Sequence, residues 1–160
     1  MQTVGVILIL SACLLIDRAY KERSMHGVVV LGELCSFFGH IKNRLALGVR
    51  PLSVLVRGLE APELKKLGFL GALAAGDVPI DAYRGIKGEL YLSSGTSALI
   101  EDFFNFATRG TVNGVEKSCA EILSVLNEEY KMKKEDVTVK CRLVRVVLLS
   151  IGLGLAVTVI

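Results

Sequence analysis

The sequence predicts an all-α protein: an antiparallel bundle of about five or six helices flanked by N- and C-terminal transmembrane helices. Three observations predict it. Two apolar segments, Met1–Ile16 and Val146–Ile160, bracket the chain, and every Lys, Arg, Asp and Glu lies between them. Between these segments, apolar residues recur at steps of three and four, the period of a helix face. No stretch alternates apolar and polar residues long enough to make a convincing strand.

Residues 1–19 are read as the first membrane segment. Its uncharged part spans roughly 24 Å as a helix, short of a hydrocarbon core of roughly 30 Å, and Ala19 and Tyr20 extend it. A secretory leader would need a basic start, which Met1-Gln2-Thr3 lacks. Leu10-Ser11-Ala12-Cys13 resembles a lipoprotein cleavage box, but the apolar run continues through Leu14-Leu15-Ile16. Residues 143–160 are read as the second segment, lengthened by Leu143 and Val144, with Arg142 and Arg145 snorkelling to the headgroups.

Residues 20–142 form the helical body. Leu31, Leu34, Phe38, Ile41 and Leu45 mark one continuous helix face. Gly27, Gly32 and Gly39 weaken that helix by about 1 kcal/mol each relative to Ala, a loss that close approach of another helix would offset. Pro51 with Leu52 restarts the chain, and Pro62 opens a helix carrying Leu64, Leu67 and Leu70. Gly76-Asp77-Val78-Pro79 is a turn, and Pro79 opens a helix with Ile80, Tyr83, Ile86 and Leu90. Ser93-Ser94-Gly95-Thr96 is a cap cluster, with Thr96 taken as the cap, leading into Leu99, Ile100, Phe103, Phe104 and Phe106. Arg109-Gly110-Thr111 breaks that helix, and Asn113 caps the last one, which carries Val115, Cys119, Ile122, Leu126 and Tyr130. Its charged continuation through Val137 and Cys141 into Val144 makes one long helix. The expected core is Leu34, Phe38, Ile41, Leu45, Leu99, Phe103, Phe106, Cys119, Ile122 and Leu126.

Charge sets the expected topology. Arg18, Lys21 and Arg23 follow the first apolar segment, and Lys140, Arg142 and Arg145 precede the second. The outer ends carry no Lys or Arg, so the positive-inside bias places the body in the cytoplasm and both termini outside. Membrane lipid is thus the first expected partner. A net charge of +3, no Trp and 6% aromatics argue against a nucleic-acid binder. A hydrophobic share of 52% and a mean hydropathy of +0.54 are high for a soluble chain, and the two ends account for the excess.

No catalytic, cofactor or metal site is expected. Cys13, Cys35, Cys119 and Cys141 form no CxxC pair and read as small buried hydrophobes. His26 and His40 have no metal-ligand spacing, and neither a phosphate loop nor a GxSxG elbow occurs. The chain is therefore read as not an enzyme. The enzyme-class rival is a small membrane-bound enzyme using the Phe103–Phe106 region as a pocket. A generic membrane adaptor or scaffold is the other alternative.

Several local patterns resemble the stage III sporulation protein AB family of endospore-forming bacteria. Tyr20-Lys21-Glu22-Arg23 matches the family's Tyr-x-x-Arg, and Leu34, Phe38, Ile41 and Leu45 fall on its leucine and isoleucine positions. Pro51-Leu52 closes the first motif, where Arg44, Leu47 and Arg50 replace the family's Glu, Tyr and Thr. Phe106 and Gly110, with Asn113 in place of an acid, resemble its Phe-Gly…Gly-x-x-Asp turn, and Tyr83 stands where Trp is common. Arg145 and Gly152 fit its C-terminal pattern, where Leu148 replaces a Gly.

The resemblance implies a non-enzymatic platform subunit of a secretion-like complex joining mother cell and forespore. That subunit is similar to the inner-membrane platform protein of type II secretion. The implied partners are other stage III sporulation membrane proteins and a cytoplasmic ATPase of the same system. The implied location is the mother-cell membrane facing the forespore.

Overall fold

The computed structural model describes residues 2–46, 52–56, 58–107 and 112–159, with side chains described for 11–45, 54–56, 58–107 and 114–154. The protein is all-α, and the described residues contain no strand. The helices are α1 (Gln2–Ala46), α2 (Leu52–Leu55), α3 (Pro62–Lys66), α4 (Phe69–Ala75), α5 (Pro79–Ile86), α6 (Ser94–Ala107) and α7 (Val112–Val159). A 3-10 turn, Lys87–Glu89, follows α5. The chain forms two compact units, one of Met1–Val28 with Met132–Ile160 and one of Val29–Lys131. They are called the terminal unit and the central unit below.

The central unit holds the hydrophobic core. Along α1, Leu31, Leu34, Phe38, Ile41 and Leu45 are buried, and Val30 and Phe37 widen the stripe. From α7 come Val115, Cys119, Ile122 and Leu126, all buried. Every phenylalanine except Phe106 joins one aromatic cluster with Tyr83. Phe38 meets Phe103 edge-on at 5.3 Å between centroids, and Tyr83 lies 5.6 Å from Phe104. Such geometry sets the positive ring edge against a negative face. Phe37, Phe69, Phe104 and Tyr83 extend the core beyond the residues expected from the strongest stripes.

Two expected core residues sit differently. Leu99 is only partly buried, and Phe106 is 45% exposed. The buried stripe of α6 runs through Thr96, Ser97, Ile100, Phe103 and Phe104. At about 100° per residue, Leu99 and Phe106 fall about 100–120° from its centre, on the flank.

Local chemistry explains the short helices. The helix expected from Pro62 through Leu70 is split, because Gly68 adopts a left-handed φ of 81° between α3 and α4. At the other end of α4, Gly76 has φ 91°, and Asp77 N–H reaches the Ala72 carbonyl at 3.1 Å, a Schellman closure. The α5 helix starts at Pro79 as expected but ends at Ile86, so Leu90 follows the 3-10 turn. It packs against α4 and α6, and α4 also meets α2 and α3.

The N-cap of α6 is Ser93 rather than Thr96. Its Oγ accepts the Thr96 N–H at 3.3 Å, and its carbonyl accepts the Ser97 N–H at 3.0 Å. Thr96 is therefore the third helical residue. Asn113 falls inside α7, which begins at Val112, and not ahead of it. The expected motif residues Pro51 and Gly110 lie outside the described residues, as does the Leu52 side chain at the start of α2.

Two long-range carboxylates finish helix ends in the central unit. Glu33 on α1 accepts the N–H groups of Glu63 (3.1 Å) and Leu64 (2.9 Å), two of the orphan donors at the start of α3. Ala61, at the N-cap position, has no side chain able to do this. Glu129 on α7 accepts the Ser93 N–H at 2.7 Å and the Thr96 hydroxyl at 2.5 Å. Beside these residues, a Cβ on Gly32 would stand 3.2 Å from the Tyr130 ring, so α1 and α7 approach closely there. At Gly39 a Cβ would meet nothing within 4 Å, so no such approach explains that glycine.

Candidate functional site

The terminal unit consists of the N-terminal part of α1 and the C-terminal part of α7. Arg145 Nη2 and Nε stand 3.0 and 3.1 Å from one carboxylate oxygen of Asp17. Lys140, further back along α7, lies near Tyr20, further on along α1. The two segments are therefore antiparallel, and residues 2–16 and 146–159 leave the Asp17–Arg145 level in the same direction.

Beyond that level the described side chains are apolar except for Ser11 and Ser150, and most of them face outward. Leu14, Leu15, Ile16, Val146, Val147, Ile151 and Leu153 are all more than half exposed. Gly152 is buried. An apolar lateral surface of this kind has no favourable exposure to water. Of α1, the stretch Ser11–Leu45 is long and apolar enough to cross a membrane, with a mean hydropathy of 1.2. Buried residues make up 44% of its most apolar window, and a core helix of a soluble protein passes the same test.

On the other side of that level the polar residues begin. Arg18 pairs with Glu22 at 3.0 Å, and Lys140 with Asp136 at 2.6 Å. The Asp136 hydrogen bond and charge push the Lys140 ammonium above its ordinary value. Lys21, Arg23 and Arg142 are exposed, and Tyr20 is 38% exposed. The expected flanking cations thus gather in the terminal unit, and the structure adds Asp17, whose role the charge pattern did not indicate.

In the central unit a cleft of about 220 Å³ lies between α6 and α7. It is lined by the buried Phe103 and Ile122, the partly buried Leu99 and Ser118, and the exposed Asp102, Phe106 and Glu121. No group of three or more metal-ligand side chains occurs among the described residues. The half-buried Cys35 and the buried Cys119 are poorly suited to act as nucleophiles: burial pushes their thiols up to about 11 and about 12. Tyr83 is also raised by burial, and its hydroxyl is held by Ser97 Oγ at 2.9 Å.

Comparison with protein-family models, curated proteins and solved structures finds no match.

Proposed function

We propose that this chain is a membrane-anchored, non-enzymatic platform subunit. Its two apolar segments enter the bilayer side by side as an antiparallel hairpin. The Asp17–Arg145 pair lies at the boundary of the hydrocarbon, and the central unit is cytoplasmic. The observation that carries this reading is that ion pair, which sets the borders of both apolar segments at one level. A hairpin in lipid requires that alignment, because a charge drawn into hydrocarbon costs roughly 2.5–3.5 kcal/mol on insertion scales.

The sporulation resemblance supports placing this platform in a secretion-like complex between mother cell and forespore. A cytoplasmic ATPase and other stage III sporulation membrane proteins are its partners in this reading. The platform receives the ATPase on its cytoplasmic unit and holds its place in the envelope through the hairpin.

The test is carbonate extraction at high pH of membranes carrying the full chain, followed by co-expression with a cytoplasmic ATPase of a stage III sporulation system. Retention in the membrane and co-purification of the ATPase are the expected results. Release into the supernatant overturns the anchored reading. Retention without the ATPase overturns the coupling and leaves a membrane adaptor.

A further inference from the structure

The α6–α7 cleft is too small for an ordinary small-molecule site. At about 220 Å³ it falls below the roughly 300–1,000 Å³ of ligand pockets and has room for one large apolar side chain. Its less exposed lining is apolar at Leu99, Phe103 and Ile122 and polar at Ser118. Phe106 leaves 45% of its surface uncovered at the edge, although a buried position in the stripe was expected of it. An aromatic ring beside a pocket of one side chain's size can pack against an anchor side chain that a partner inserts there.

The charges at the edge narrow the choice of occupant. Asp102 and Glu121 are both exposed, and neither forms an ion pair among the described residues. The carboxylate between them and the 3-10 turn, Glu101, is already taken by Lys87 at 2.7 Å. Although the chain has a net charge of +3, the border of this cleft is acidic and uncommitted among the described residues. An acidic partner would be repelled, and a neutral one would leave the carboxylates without counterions.

We propose that this cleft docks a basic amphipathic helix of a partner protein. One apolar side chain of that helix enters between Phe103 and Phe106, and Lys or Arg one turn to either side pairs with Asp102 and Glu121. This is helix-in-groove recognition with charge at its borders. The proposal goes beyond the membrane reading and stands without it, because all of its residues lie in the central unit.

The test uses the full chain in nonionic detergent and three dye-labelled synthetic helical peptides. One carries a Phe anchor with Lys four residues to each side. A second has Glu in place of Lys, and a third has Ala in place of Phe. The first should bind about ten-fold or more tighter than either sibling. Asp102→Lys with Glu121→Lys should reverse the preference between the Lys and Glu peptides. Phe106→Ala should weaken the Lys peptide about five-fold or more, and Glu89→Lys should leave it unchanged.

Equal affinity for the three peptides overturns the proposal, as does a charge-reversed chain that keeps its preference for Lys. Concentration-dependent dimerisation abolished by Phe106→Asp also overturns it, because the occupant is then a second copy. Circular dichroism checks that each variant is folded. Should the double variant unfold, the peptide series and Phe106→Ala decide alone. Release by carbonate does not affect these titrations, so the two readings fail separately.

Discussion

Asp17 and Arg145 border the two apolar segments, and they are bound to each other through a single carboxylate oxygen. The Asp17 side chain is only 14% exposed, whereas that of Arg145 is 57% exposed. The aspartate thus lies between the helices, and the arginine reaches in from outside. Asp17→Arg or Arg145→Asp alone places like charges together; the double exchange restores the pair. Thermal melts of the full chain in micelles should show a coupling on the order of 1 kcal/mol. Strictly additive effects would show that the pair does not hold the helices together.

In the proposed topology, sidedness comes from the basic residues that flank the apolar segments. A cysteine added near Lys134 should resist a membrane-impermeant thiol reagent in intact cells, and one added beyond Ile160 should react. Labelling must be read above the level of the unmodified chain, which has free thiols of its own. The opposite pattern would reverse the topology and remove the basis for an ATPase partner.

The two flanks of α6 should respond very differently to truncation. Phe103 is buried against Phe38 and Phe104, so Phe103→Ala should cost about 3–5 kcal/mol. Exposed Phe106 should lose no more than about 0.5 kcal/mol as Ala. Denaturant unfolding followed by circular dichroism measures both. Equal losses would place the core boundary wrongly.

Glu33 gives α3 its only described side-chain cap. Replacing it with Ala should cost about 1–2 kcal/mol, since two N–H groups lose a charged acceptor. Hydrogen exchange at Glu63 and Leu64 should accelerate in that variant. Unchanged exchange would mean that Glu33 does not protect the helix start.

Alkaline pH should loosen the central unit. The folded chain keeps the Cys35 and Cys119 thiols neutral to about 11 and about 12, against an ordinary value of 9.0. For a raised acid, the stabilising contribution is complete below pH 9.0 and is lost as pH climbs toward the folded value. The melting temperature should therefore fall between pH 9 and 11, and more gently in Cys119→Ala. Parallel declines would show that Cys119 does not drive the loss.

The all-α class and the α1 stripe were legible because burial follows a period of 3.6 along a long helix. Leu34, Phe38, Ile41 and Leu45 stand out by spacing alone. The split at Gly68 was not legible, because a glycine inside a leucine pattern does not announce a left-handed φ. Phe106 misled because it neighbours two core phenylalanines in sequence while lying off their face. Ser93 and Thr96 are both good caps by composition, and only the hydrogen bond from the Thr96 N–H to Ser93 Oγ separates their roles. Nor does any local pattern pair Asp17 with Arg145, because that pairing depends on how two distant helices meet.

The core of the central unit draws on α1, as far as Leu45, and on α7, from Val115 onward. A ribosome makes these parts in order, and the aromatic residues of α1, α4 and α6 emerge before Val115, Cys119, Ile122 and Leu126 exist to cover them. Closure of the core must wait until synthesis has passed Leu126. Until then a half-made chain carries bare apolar faces, the condition in which nascent proteins aggregate or recruit chaperones. On the proposed membrane reading, early insertion of the first apolar segment would hold such a chain at the membrane, away from its siblings, until α7 arrives.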